Sequence, residues 1–248
     1  MRIRVLTYNI HRAIGMDRRF DPERVAGILA YYGADIVLLQ EVDEGVPRSR
    51  ELDMAREIAD TLGYRHVAVG HNVALRKGRY GNATLSRHPI LRERNIDLTV
   101  GRRKRRGCQH TRIELTTTSG VQHRIEVFNL HLGLSARERE QQVGLLVRSS
   151  EFASLAPDVA SLVGGDFNDW RSRLQPIFTE VLTFRSATDR QRARERAILT
   201  YPSFFPRGAL DRIYYRGRIR LLTARRCRLR LSRVASDHLP IVADFEVH

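Results

Sequence analysis

No run in this 248-residue chain approaches the roughly 20 consecutive apolar residues of a membrane-spanning helix, which argues against a helical membrane protein. Met1 leads straight into a strand-like segment, without a basic stretch, an apolar run and a small-residue cleavage site. A secretory signal is therefore not expected. Only two cysteines are present, Cys108 and Cys227, isolated and without metal-type spacing. A disulfide between them is compatible with the sequence but nothing supports one, and a reducing cytoplasm is the expected compartment. Composition breaks, Pro/Gly/Ser-rich linkers and solenoid-period repeats are also missing, so residues 1–248 read as one domain. The absence of His-Glu-x-x-His and paired-Cys patterns makes zinc a poor expectation. Acidic residues are scarce beside basic ones: 28 Asp+Glu against 43 Lys+Arg, a net charge of +15, with nearly all the excess arginine. Such a field draws polyanions, whether nucleic acid, anionic lipid surfaces or phosphorylated small molecules. A GC-rich genome gives the same bias, so charge alone selects no substrate.

What is present suffices for a substantial core, with 42% hydrophobic residues. Asp21-Pro22-Glu23 supplies an N-cap, a first-turn proline and an early acid. Val25, Ile28, Leu29 and Tyr32 then share one face, and Gly33 stops the helix. A second helix is predicted through Leu52, Ala55, Ile58, Ala59 and Leu62, closed by Gly63. A third opens on the capping box Ser135-Ala136-Arg137-Glu138, with Val143, Leu146 and Val147 on its buried stripe. Strands are predicted at 2–8, 35–40, 65–69, 81–86, 109–117, 122–130, 160–165, 211–215, 218–223, 226–231 and 240–246. In 226–231, Cys227, Leu229 and Leu231 alternate with Arg226, Arg228 and Arg230, which should face solvent. Strands outnumber helices, and the helices cluster after particular strands. This implies helices packed outside large mixed sheets rather than strict β-α repetition. Two irregular loops are expected: the basic run Gly101 to Gly107, and residues 186–209 with the charged run Asp189 to Arg196.

Chemistry-bearing residues fall at or just beyond predicted strand ends: Asn9, Glu41, His131, Asp166, Asn168, Asp211, Asp237 and His238. Carboxylates, carboxamides and imidazoles delivered to one rim by several strands suit a divalent-metal phosphoester hydrolase. Mg²⁺ and Mn²⁺ prefer oxygen ligands; Glu41 and Asp237 are suitable carboxylates, and Asn9 offers a neutral oxygen. Asp166 follows two glycines that allow a tight turn, and Asn168 stands two residues on, placed to orient a water or a phosphate oxygen. His238 could donate to a phosphate oxygen, with Asp211 the candidate carboxylate behind it. His131 is a second phosphate donor or general acid. Asn82 and the arginines of the basic loop, Arg102, Arg103, Arg105 and Arg106, are candidate substrate-binding groups. Each residue alone is as compatible with a turn, a packed side chain or a solvated loop tip; their order and joint presence carry the reading.

Taken together, Thr7-Tyr8-Asn9, Leu39-Gln40-Glu41-Val42, Gly81 to Arg87, Asn129-Leu130-His131-Leu132, Gly164-Gly165-Asp166-Phe167-Asn168, Leu210 to Ile213 and Ser236-Asp237-His238-Leu239-Pro240 resemble the endonuclease/exonuclease/phosphatase family. That family includes DNase I-like nucleases, AP endonucleases, inositol polyphosphate 5-phosphatases and neutral sphingomyelinases. The resemblance spans almost the whole chain. It implies an α/β (α+β) four-layer αββα sandwich, two mixed β-sheets face to face with helices outside, and Mg²⁺-dependent hydrolysis of phosphoric esters, with Mn²⁺ as a substitute. It makes Glu41 the principal metal ligand with Asn9 and Asp237 nearby, Asp166 the base for the attacking water beside Asn168, and Asp211 the residue that orients His238. The number of metals, and whether Asp166 or the metal activates the water, stay open. His131 stands where AP endonucleases carry tyrosine, which argues against AP-site repair. Nucleic acid is the leading substrate class, with a sphingomyelin- or phosphoinositide-type headgroup and soluble esters as alternatives. A non-catalytic polyanion-binding module on the same fold is a reading of another class. A monomer is expected.

Overall fold

Residue alternation along the strands decides how the sheets are placed. In β1 (Arg2–Asn9), Ile3 and Val5 enter one apolar cluster while Leu6 and Tyr8 enter another, so the strand is buried on both faces. The same double burial marks β2 (Ile36–Glu44), where Ile36 and Leu38 point with Val5, and Val37 and Leu39 with Leu6. The computed structural model describes residues 1–117, 119–189 and 197–248. With β3 (His66–Ala74), β4 (Arg79–Ser86), β11 (Ile219–Arg226) and β12 (Ile241–Val247), these strands form a mixed sheet ordered β11-β12-β1-β2-β4-β3. A second mixed sheet is ordered β5-β6-β7-β8-β10-β9. Its strands are β5 (Ile90–Asp97), β6 (Gly107–Thr116), β7 (Gln122–His131), β8 (Ser161–Asp166), β9 (Arg185–Ser186) and β10 (Asp211–Arg216). Each sheet holds one parallel pair, β1 with β2 and β7 with β8.

The sheets pack face to face over an aliphatic layer that includes Val5, Leu38, Val127, Ile213 and Phe245. Helices α1 (Pro22–Tyr32) and α2 (Met54–Leu62) cover the outer face of the first sheet. Helix α3 (Ala136–Arg148) and the single turn α4 (Ser150–Ala153) cover that of the second. The result is the expected four-layer αββα sandwich. The helix ends follow the expected chemistry. Asp21 and Ser135 cap α1 and α3 through the amides of Arg24 and Glu138, and Gly33 and Gly63 close α1 and α2 in the left-handed region.

Two strand expectations are corrected. Residues 226–231 are not a separate strand, because Arg226 pairs with Ile241, the first residue of β12, and no strand lies beyond it to continue the ladder. The chain leaves the sheet instead. Cys227 and Leu229 turn under the α1 side of the first sheet, and a short helix α5 (Ser232–Ala235) follows. The alternation of arginines survives without a strand to carry it. Conversely, β5 escaped the sequence reading because Leu-Arg-Glu-Arg-Asn is polar and mostly exposed on an edge, where solvent tolerates charge. Within the loop expected at 186–209, residues 190–196 of the charged run lie outside the described residues. Both cysteines are buried and free.

At one end the inter-sheet layer turns from aliphatic to polar. Thr7, Gln40, Asn82, Thr84, Gln109 and Asn129 are all buried there. Asn129 Nδ2 donates to Leu39 O and Ala83 O at 3.1 and 3.0 Å, and its Oδ1 accepts from Gln40 Nε2 at 2.8 Å. Asn129→Leu removes the side-chain donor of the Leu39 and Ala83 carbonyls and one acceptor of Gln40 Nε2, which keeps Thr7 and Leu38 O; each buried group left unsatisfied costs about 1–3 kcal/mol. We expect a loss of about 3 kcal/mol or more in urea unfolding, with weaker protection of the β2 and β4 amides in hydrogen exchange.

On the outer face of the second sheet, buried Glu126 takes His110 Nε2 and Arg112 Nε, each at 2.6 Å. Burial opposes its charge, but these two donors outweigh it and hold the carboxyl below its ordinary value. A depressed carboxyl stabilises the fold above its unfolded pKa of about 4.3, and that contribution is lost as pH falls through the lower folded value. Glu126→Gln is expected to cost about 2 kcal/mol at pH 7, and the gap from the parent protein should close in melts below about pH 4.

Candidate active site

The polar end of the layer continues into a cluster of strand termini. Asn9 ends β1, His131 ends β7, Asp166 ends β8 and Asp211 begins β10. Asp211 pairs with Asp166 across β10 and β8, and His131 with Asp166 across β7 and β8. Three inward-facing polar residues are therefore neighbours by register alone. Asp237 and His238 arrive from the turn before β12, anchored by Ser236, whose Oγ donates to Asn9 O at 2.7 Å and accepts from His238 N at 3.2 Å.

Asp166 is the centre. Its Oδ2 accepts from Asn9 Nδ2 at 3.0 Å and lies 3.5 and 3.7 Å from the Nε2 atoms of His131 and His238. Its Oδ1 accepts from Asn168 N at 2.9 Å, which holds Asn168 at a left-handed φ of 50°. Burial, reinforced by Asp211, raises this carboxyl to about 6 despite the opposing charge of His238. His238 Nδ1 donates to Asp211 Oδ2 at 2.8 Å, and Thr200 Oγ1 donates to the same oxygen. Burial works against an imidazolium here, but Asp211 and Asp166 outweigh it and lift His238 to about 10. His131 is pushed the other way. Burial, with Arg106, His238 and Lys104 nearby, holds it well below the ordinary histidine value, so it is neutral. At neutral pH the pocket therefore holds one charged and one neutral imidazole, both turned toward one carboxylate.

Glu41 was expected at a strand end. It lies inside β2, at a bulge between Leu39 and Val42 where it takes a φ of 61°. The bulge frees its side chain from the ladder, and Arg12 Nε sits 3.3 Å from Oε2. His11, Arg12 and Ala13 also have positive φ, so four non-glycine residues near the rim are held in a disfavoured region. Burial, with the Glu41 carboxylate close by, pushes the Tyr80 phenol up, and Lys104 Nζ lies 5.2 Å from the Tyr80 ring centre. Asn9 joins these parts: it pairs with Gln40, the neighbour of Glu41, while binding Asp166 and Ser236. Among the described residues no hydrogen bond links Glu41 directly to Asp166 or Asp237.

The expected substrate-binding residues divide. Asn82 Nδ2 is committed to the carbonyls of Gly107 and Asn129, so its amide ties the sheets together and is not a free phosphate donor. Arg103 turns to Ser135 and Glu138 at the start of α3. Arg106 is buried next to His131, whereas Arg102 and Arg105 are exposed. Asn168 Nδ2 donates to Leu132 O, fixing the loop that follows His131. Thr200 and Tyr80 were not among the candidate site residues, and Tyr201 and Lys104 entered the sequence reading only as members of their loops. The Tyr201 ring lies 4.9 Å from that of His238.

Asp166, Asp211 and His238 bring potential ligand atoms within 4.8 Å of one another. The two carboxylates hold His238 protonated, which leaves its imidazole no lone pair for a cation. Glu41, Asp237 and Asn9 Oδ1 are the oxygen donors expected from the sequence for a hard divalent cation; Asn9 Oδ1 accepts from His11 N at 3.1 Å.

The Endonuclease/Exonuclease/phosphatase family model matches residues 6–238. The chain is 34% identical over 263 residues to the uncharacterized protein YbhP of Escherichia coli strain K12, covering 99% of this chain and 96% of the relative. Among solved structures, it superposes on the endonuclease/exonuclease/phosphatase from Beutenbergia cavernae DSM 12333 with a TM-score of 0.81 at 20% identity, covering 99% of this chain and 72% of that one. D. rerio TDP2 complexed with single strand DNA product gives a TM-score of 0.72 at 16% identity, with 99% of each chain covered.

Gly165, just before Asp166, has a φ of 137°, and a Cβ there would lie 1.9 Å from Leu130 O. Gly165→Ala must therefore push β7 and β8 apart beneath Asp166. We expect a loss of about 2 kcal/mol or more, read as a lower midpoint in thermal unfolding.

Proposed function

This chain belongs to the endonuclease/exonuclease/phosphatase family, whose members are generally phosphoester hydrolases, and on that premise we propose that it cleaves phosphoric esters with Mg²⁺, or Mn²⁺, as cofactor. The observation that carries the reading is the Asp166 carboxylate set between Asn9, neutral His131 and charged His238. A hard cation at Glu41, Asp237 and Asn9 would neutralise charge on the phosphoryl oxygens.

The chain's own groups divide the remaining work. Asp166, raised to about 6, is mostly ionised at neutral pH and basic enough to take a proton from the attacking water. Asn9 and the Asn168 amide fix the direction of that carboxylate. His238, held charged by Asp211, donates to a phosphoryl oxygen as negative charge grows there. Asp211 and Thr200 keep the imidazole oriented. His131, being neutral, serves as a hydrogen-bond donor to a phosphoryl oxygen and not as the proton source for the leaving oxygen. Arg106 and Lys104 add positive charge on the Glu41 side. Nucleic acid is the favoured substrate class, one of the polyanions that a net charge of +15 draws.

The test is a substrate panel with Mg²⁺ and with EDTA: plasmid DNA, RNA, sphingomyelin, phosphoinositides and a nitrophenyl diester. Hydrolysis should require the cation. His238→Ala should lose on the order of 10²–10³-fold in kcat, as when one transition-state donor is removed, and Glu41→Ala should be inactive while folded. Full activity in EDTA, or a His238→Ala variant within a few-fold of the parent, would reject this mechanism.

A further inference from the structure

The arginines that alternate past the end of β11 line a groove that the proposed chemistry does not use. One cavity of about 600 Å³ is walled by Arg4, Tyr31, Tyr32, Arg225, Arg226 and Arg228. A second, of about 340 Å³, shares Arg226 and Arg228 and runs on to Arg233, Ser203 and Pro206. Arg226 and Arg228 line both, so the two cavities adjoin, and together they are called the channel here. Its far wall is the turn at Ser203, whose backbone N donates to Asp237 O at 2.7 Å and whose Oγ donates to Arg233 O at 3.0 Å. The channel thus ends against the catalytic rim.

Its charge is largely uncompensated. Asp244 engages Arg4 and Arg225, but among the described residues no carboxylate pairs with Arg226, Arg228, Arg230 or Arg233 in a salt bridge. Aromatic groups mark both ends. Tyr31 is 68% exposed at the start, and Phe204 and Phe205 are 59% and 57% exposed beyond Pro202 and Ser203. The Arg207 guanidinium lies 4.5 Å from the Phe205 ring centre.

We infer that this channel binds single-stranded nucleic acid and leads it to the active site. Guanidiniums along a concave track match successive phosphates, and exposed rings at its ends give unpaired bases a face to stack on. A single small phosphoester cannot engage so many separated cations. An anionic bilayer would be drawn by the same exposed arginines but offers no unpaired bases to the rings, and it is one outcome of the test. Delivery to the centre rests on the hydrolase reading; binding in the channel does not.

The test measures fluorescence anisotropy of a labelled oligothymidylate of about twenty nucleotides in EDTA, between about 50 and 200 mM salt. Nitrophenyl diester hydrolysis with Mg²⁺ and thermal unfolding are followed on the same proteins. Arg228→Ser with Arg233→Ser should weaken oligonucleotide binding about tenfold. It should also lower the salt slope by about 1.4, at about 0.7 per lost phosphate contact, with diester hydrolysis and melting unchanged. Arg228→Lys with Arg233→Lys should keep the parent slope. Unchanged oligonucleotide binding in the serine variant overturns the inference. So does an equal fall in diester hydrolysis, or binding to phosphatidylglycerol vesicles without binding to the oligonucleotide. Arginine-dependent binding by a protein that cleaves no ester would support the channel and sink the hydrolase reading.

Discussion

Asn129 and Gln40 lie between the two sheets where an aliphatic pair would ordinarily sit, and the geometry above them depends on that exchange. Asn129 takes up the carbonyls of Leu39 and Ala83 next to the bulge in β2, and Gln40 reaches both Asn129 and Thr7. A bulge disrupts its ladder, and buried backbone groups beside it need partners. The Asn129 amide supplies them from the opposite sheet. The feature that turns Glu41 out of its strand therefore also cross-links the sheets, so the rim is set by buried hydrogen bonds. Such a seam is more directional than aliphatic packing, and each lost partner is costly.

The electrostatics of the rim follow from what this seam places side by side. Asp166 and Asp211 are register partners on adjacent antiparallel strands, so two carboxylates are buried close together. Their mutual repulsion is relieved by charging His238 between them and by raising Asp166 toward neutrality. His131 cannot be charged as well, because burial and the positive groups around it all oppose a second imidazolium. Two histidines of equal intrinsic basicity thereby acquire opposite protonation. That asymmetry, with the base between them, makes the cluster suited to proton transfer rather than only to holding an ion.

Much of this was legible in the sequence because hydrophobic alternation marks a strand and its end together. Asn9, His131, Asp166 and Asp211 each follow or open a segment with a clear apolar pattern, and a shared rim follows once those segments pair. Glu41 was singled out in the sequence, but the bulge that carries it was not, since Leu-Leu-Gln-Glu-Val reads equally as a strand that stops or one that kinks. Thr200 and Tyr201 sit in a loop without periodicity, and their roles depend on where that loop folds back. Arg106 belongs to a run of five basic residues with nothing local to show that it alone turns inward. Strand β5 was hidden by its polarity. The error at 226–231 has another cause: period two was present, but β12 ends its pairing at Ile241, a limit set by a partner at a distance.

Segment 200–208 shows how the rim and the arginine channel share one piece of backbone. Thr200 binds Asp211 through its hydroxyl and accepts Leu239 N through its carbonyl, so it ties β10 to the strand that follows His238. Tyr201 covers the His238 ring and bridges to Gly208, against which Trp170 packs so closely that a Cβ would meet its ring at 2.9 Å. Ser203 then binds Asp237 and Arg233 on its two sides. A side chain that orients the imidazole and a residue that walls the channel are thus three positions apart on a hairpin braced at both ends. Asp211, which helps to charge His238, and the wall of the channel at Ser203 are therefore held from the same hairpin.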